Sequence, residues 1–148
     1  MSATWLGAIF VVYLIGSAIA PMTGKLVSRF GRRHFILLII AVWMSGILLT
    51  LAPPLPLIIV GLAMMATCGL LCQAVSTSYV AVTAQAGRSS AVGLYVTSFY
   101  LGGSVGAAAG GVAWIWGGWP ACVFMMVAVL TIMAAIVTFA WARESAPV

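Results

Sequence analysis

Five apolar runs, residues 4–22, 35–52, 57–82, 91–115 and 120–141, fill most of this chain, and almost nothing charged interrupts them. A soluble domain must cover its core with polar surface. This sequence has little to offer: 65% of its 148 residues are hydrophobic and 5% are charged, where ordinary domains carry about 25% charged residues. A spanning helix takes about 20 mostly apolar residues, so each run fits one crossing and a separate soluble domain has no place. The fold class that follows is an all-α polytopic membrane protein, one transmembrane domain of five helices over residues 1–148. Strands do not fit, because a membrane strand uses roughly 10 residues and alternates polar with apolar positions.

The breaks between the runs are sharp. They are the basic link GKLVSRFGRRH from Gly24 to His34, then Pro53-Pro54-Leu55-Pro56, then Gln85-Ala86-Gly87-Arg88-Ser89-Ser90, and last Trp116-Gly117-Gly118-Trp119-Pro120. Proline and glycine end helices at such points. Four of the six cations, Lys25, Arg29, Arg32 and Arg33, sit in the first link, a tight connection of about ten residues. An arginine at the bilayer centre costs about 2.5 to 3.5 kcal/mol on insertion scales, and positive links favour the cytoplasmic side. If every run crosses once, the arrangement that puts all cations on one face has the amino end outside and the carboxyl end, with Arg143 and Glu144, inside. Trp114, Trp116 and Trp119 then gather at the outer interface and Trp141 at the inner one. The net charge of +5 does not point to nucleic acid, since scattered cations make no continuous basic face.

Ala18-Ile19-Ala20 looks like a signal-peptide cleavage site, but no cation precedes the first run and four follow it, the reverse of a secretory signal. An uncharged amino end that must cross outward makes more sense behind an earlier helix. The chain therefore reads as part of something longer.

The pattern Gly24-x-Leu26-x-Ser28-Arg29-Phe30-Gly31-Arg32-Arg33 resembles the cytoplasmic loop signature of the major facilitator superfamily of secondary transporters. That family has two six-helix halves, with the signature after the second helix and a weaker copy after the eighth. Ser28 stands where the stronger copy has an aspartate, which matches the weaker one. The stretch AGRSSAVGLYVTSFYLGGSVGAAAGGVAWIWGGW, Ala86 to Trp119, resembles the tenth-to-eleventh loop, the eleventh helix and the following turn of drug- and sugar-efflux branches. The resemblance implies a partial superfamily bundle, helices eight to twelve, in a bacterial inner membrane, with its substrate site completed by an amino-terminal half. The rival alignment, helices two to six, would put an arginine in the third run, and residues 57–82 carry no charge. In the family such loops act as latches when the halves rock; the physical minimum for Gly24, Lys25, Arg29, Gly31, Arg32 and Arg33 is a topology anchor that binds lipid phosphates.

Candidate substrate-cavity residues are the polar ones inside the runs. Burying an unpaired amide or hydroxyl in hydrocarbon costs several kcal/mol. Gln73, Ser76 and Thr77 share a helix face by i+3 and i+4 spacing; Tyr95, Ser98 and Tyr100 lie on the fourth run, and Tyr13 and Ser17 on the first. Single hydroxyls are expected to bond back to their own helix carbonyls. Gln73 is harder to satisfy in that way. In the fourth run Gly102, Gly106 and Gly110 repeat every four residues, with Gly103, Ala107 and Gly111 one step later, a small-residue face suited to close helix packing. The same face is open to a second reading, a small membrane scaffold or interaction subunit that docks there on a partner protein.

Catalysis has little to work with: one acid, Glu144, and one histidine, His34, both outside the runs, so no enzyme, metal site or cofactor is expected. Cys68 and Cys72, four apart, read as small buried residues. The expected partners are membrane lipids, a small-molecule substrate and an amino-terminal half or other membrane protein. An export activity, incompetent in this chain alone, is the functional reading.

Overall fold

The computed structural model describes residues 23–142; the first run, with Tyr13 and Ser17, lies outside the described residues, as do Arg143 and Glu144. Among those described every element is helical: α1 (Thr23–Phe30), α2 (Arg32–Leu49), α3 (Leu55–Thr83) and α4 (Arg88–Ala142). Three of them, α2, α3 and α4, are long and apolar enough to cross a membrane.

The first link is not a loop of ten residues. It is helix on both sides of one glycine, with Gly31 N–H still bonded to the Val27 carbonyl at 3.0 Å and Phe35 N–H to that of Gly31 at 3.1 Å. Arginine and lysine are good helix formers, so the cations continue the helix and only Gly31, at φ 76°, turns the chain in a region that residues with a Cβ disfavour. The proline link behaves as the sequence suggests. Thr50, Leu51 and Ala52 N–H groups reach back three residues to tighten the end of α2, and Pro56 falls in the first turn of α3, where a missing N–H is harmless.

Although α4 runs for 55 residues, its backbone is not helical at Gly117 and Gly118. Twelve residues of straight helix would hold Gly110 and Cys122 about 18 Å apart. Instead the Cys122 thiol donates to the Gly110 carbonyl at 3.5 Å, so the chain reverses and α4 is a hairpin of two arms. Gly118 sits at φ 61°, ψ −151°, a conformation open essentially to glycine alone, and Pro120 follows in the first turn of the second arm.

The core lies between α2, α3 and the second arm. Phe35, Ile36, Ile39, Ile40 and Ile47 from α2 meet Cys68, Cys72 and Val75 from α3 and Val123 and Leu130 from the second arm. Met126 and Met133 pack against this cluster from the same arm. In contrast, every residue of the first arm from 97 to 109 is exposed.

Close packing occurs at a different pair of glycines from the expected stripe. A Cβ built on Gly61 would lie 2.5 Å from the Gly46 carbonyl oxygen and 2.9 Å from Thr50 Cγ2, and one on Gly46 would lie 2.9 Å from Met64 Cβ. Two turns beyond Gly61, the Trp43 ring rests on Gly69, 3.5 Å from where its Cβ would be. Thus α2 and α3 run antiparallel in backbone contact, held by dispersion, since lipid tails remove the usual hydrophobic drive. Of the expected stripe, Gly102, Gly103, Gly106 and Gly111 have nothing within 4 Å of a built Cβ among the described residues; Gly110 alone touches a neighbour, Met125.

Thr50 ties the third element to this pair. It is 3% exposed, its hydroxyl donates to the Ile47 carbonyl at 2.6 Å, and it accepts the Trp119 indole N–H at 3.0 Å. The turn of α4 is thereby fastened to the end of α2, and Trp119 faces inward while Trp114 and Trp116 stay exposed.

Two consequences are measurable by thermal unfolding in detergent. Gly61→Ala is expected to destabilise by about 1 to 3 kcal/mol through overpacking, whereas Gly102→Ala, in open space, is expected to be neutral or to gain up to roughly 1 kcal/mol in helix propensity. In a double-mutant cycle, Thr50→Val and Trp119→Phe should each cost about 1 to 3 kcal/mol but add to less than their sum, because they remove one bond from either end.

Candidate functional site

Three groups of side chains have chemistry to offer, and each takes its position from the helix that carries it. The basic link is the first. Gly24 and Lys25 lie on α1; the Arg29 guanidinium stands 5.9 Å from the Phe30 ring centroid. Arg32, at the start of α2, lies 4.4 Å over the ring of Tyr79, one turn before the end of α3. A guanidinium so placed is attracted to the ring face by about 0.5 to 1 kcal/mol when exposed. Arg33 Nε is buried with no hydrogen-bond partner among the described residues. None of these cations faces a described carboxylate, because the one acid of the sequence is Glu144.

The second group is the polar row of α3. Gln73, Ser76 and Thr77 are all half-buried. Thr77 spends its hydroxyl on the Gln73 carbonyl at 2.8 Å, and Ser76 lies one turn beyond the buried Cys72. No hydrogen bond joins the Gln73 amide to another described residue. It lies one turn beyond Gly69, the residue under Trp43.

The third group is the first arm of α4. Tyr95 and Phe99 have ring centroids 6.5 Å apart, and Phe99 and Tyr100 meet edge to face at 5.7 Å. Tyr100 is 66% exposed. Ser98 returns its hydroxyl to the Leu94 carbonyl at 2.9 Å. The backbone thus absorbs the hydroxyls of Thr77 and Ser98, as expected of serine and threonine in a helix. That leaves Gln73 and the two tyrosine rings as groups with capacity to spare. Among the described residues no hydrogen bond connects the α3 row to the first arm.

Some of what organises the site was not visible beforehand. Thr50 caps the end of α2, three residues before Pro53, where a buried polar cap leaves no periodic signal. Gly46 and Gly61 are isolated glycines without a four-residue repeat. Trp43, too deep in its run for an interfacial belt, is explained by the space above Gly69.

Cys68 and Cys72 are buried and free, and no group of three His, Cys, Asp or Glu side chains suited to a metal ion occurs among the described residues. The site offers hydrogen bonding, ring faces and positive charge: the means to bind and to anchor.

Comparison with known proteins agrees with that chemistry. The chain is similar to an uncharacterized transporter of Buchnera aphidicola subsp. Baizongia pistaciae (strain Bp), 28% identical over 119 residues, which is 80% of this chain and 30% of the relative. It is also similar to an uncharacterized transporter of Buchnera aphidicola subsp. Schizaphis graminum (strain Sg), 24% identical over 119 residues, 80% of this chain and 29% of that protein. The match therefore spans less than a third of either relative's length. No solved structure matches the chain. A family model described as Major Facilitator Superfamily matches residues 1–148. With that match running from end to end over a bundle of apolar helices, this multi-pass membrane chain belongs to the Major Facilitator Superfamily, a family of transporters and not of enzymes.

Proposed function

We propose that the chain forms helices eight to twelve of a secondary active transporter that exports a small organic compound, drug- or sugar-like, by alternating access across a bacterial inner membrane. All cations face the cytoplasm, the amino end lies outside, and an amino-terminal portion completes the substrate site at the midplane. The observation that carries this reading is the open wall of the first arm. Residues 97–109 are exposed throughout, next to Tyr95 and ahead of a turn that Trp119 fastens to Thr50, so the arm has a surface that the described bundle does not use. Such a smooth glycine face suits one half sliding against another.

Two further observations agree. Arg33 Nε, buried without an acceptor among the described residues, leaves a donor whose loss of water they do not compensate, and a carboxylate or carbonyl from the other half would satisfy it. Gln73 keeps both ends of its amide available for a polar solute. Coupling groups belong to the other portion in this reading, since the apolar runs contain no Asp, Glu or His.

Efflux measurements on a panel of dyes and sugars test this directly in bacteria that lack their main exporters. The chain alone is expected to stay at background, and the chain with a matching amino-terminal half is expected to export at least one member of the panel. In that pair Gln73→Ala should weaken apparent affinity by about two- to tenfold, the value of one hydrogen bond. Export by the chain alone would refute the division of labour, and failure of every pairing would favour the scaffold reading.

A further inference from the structure

The third link holds one cation, Arg88, that neither the core nor the proposed substrate site uses. It opens α4 at the same end of the bundle as Arg32, because Arg32 stacks on Tyr79 one turn before α3 ends. The two arginines nonetheless serve different surfaces. Residues two apart on a helix point about 200° apart, so Ala81 faces away from the side of α3 where Tyr79 meets Arg32.

On that far side the first turns of α4, with Ala81 of α3, border a shallow, wide-open groove of about 1060 Å³, lined among others by Arg88, Ser89, Val92, Gly93 and Val96. Its charge and its polarity are separated. Arg88 is exposed at the mouth, while Val92 and Val96, one helical turn apart, run an apolar wall away from it. Gly93 has nothing within 4 Å of a built Cβ, which leaves the groove floor open. The positive end is reinforced by backbone. Ala91 is the first residue of α4 whose N–H closes on a carbonyl, that of Gly87 at 2.9 Å, so the N–H groups of the preceding turn remain available. No intramolecular carboxylate competes for this charge among the described residues, because the sole acid of the sequence lies beyond them.

We propose that this groove binds one anionic phospholipid from the cytoplasmic leaflet, its phosphate on the Arg88 guanidinium and its upper acyl chain along Val92, Gly93 and Val96. Charge complementarity selects the occupant. A free anion satisfies Arg88 and leaves the apolar wall uncovered; a zwitterionic lipid covers the wall with no net charge to offer. An anionic lipid does both. The inference rests on the placement of these helices in a bilayer and not on transport, so the efflux experiment and this one fail independently.

Native mass spectrometry of the whole purified chain, with phosphatidylglycerol and phosphatidylcholine supplied at equal mole fraction, tests it. The unaltered chain is expected to retain one phosphatidylglycerol with roughly fivefold preference, the value of one cation at a membrane surface. Arg88→Gln should abolish the preference and Arg88→Lys should keep most of it. Gly93→Leu, which fills the groove with Arg88 intact, should abolish it too, while Gly102→Leu, equally open but outside the groove, should retain it. Helicity by circular dichroism, unchanged among the four, shows that each is folded. A preference that survives Arg88→Gln or Gly93→Leu, or one that inorganic phosphate removes at millimolar concentration, would overturn the proposal.

Discussion

The cost of taking a guanidinium into hydrocarbon is the constraint from which the rest follows. It keeps the described arginines, Arg29, Arg32, Arg33 and Arg88, at helix ends, and the apolar runs between those ends have no alternative to helix, because a bilayer leaves no water to satisfy an open backbone. The cations then become useful where they are left. Arg32 reaches the ring of Tyr79 and joins the start of α2 to the end of α3 at one end of the bundle. At the other end Thr50 joins α2 to the turn of α4 through Trp119. Between these two fastenings, Gly46 and Gly61 bring the helix backbones together.

This division of labour explains why burial is so uneven. In lipid, apolar surface gains little by leaving its surroundings, so contact has to come from shape. α2 and α3 achieve it with two small residues and a tryptophan seated on Gly69. The second arm of α4 achieves it with Val123, Leu130 and flexible methionines. The first arm, despite its glycine stripe, achieves almost none of it within the described bundle. Its surface is shaped for contact, and under the proposed function that contact comes from the amino-terminal portion of the transporter.

Much of the fold was legible in the sequence because its determinants are local. Proline at 53, 54 and 56 and the glycine pair at 117 and 118 end helices wherever they occur, and the structure breaks at both places. The basic link was legible as a break between apolar runs but not in its conformation, since charge pattern does not distinguish loop from helix when the cations themselves favour helix. The close helix crossing was not legible at all. A repeated glycine motif advertises a flat face, but which glycine meets which depends on how two helices cross, and that is decided by the whole of both surfaces. For the candidate site, the expectation that hydroxyls turn back on their own helix holds at Thr77 and Ser98, which narrows attention to Gln73, Tyr95 and Tyr100. The buried hydroxyl of Thr50 left no trace in the periodicity because its partner lies 69 residues away.

The central claim is that the chain threads the bilayer so that its basic ends share one compartment. Single cysteines placed at residues 32, 88 and 117 of a cysteine-free version, probed with a membrane-impermeant maleimide in intact cells and again after lysis, test it most directly. Position 117 should label in intact cells, and positions 32 and 88 only after lysis. Labelling of 32 and 88 from opposite sides would contradict the topology, and with it the account of how charge, helix order and open surface fit together.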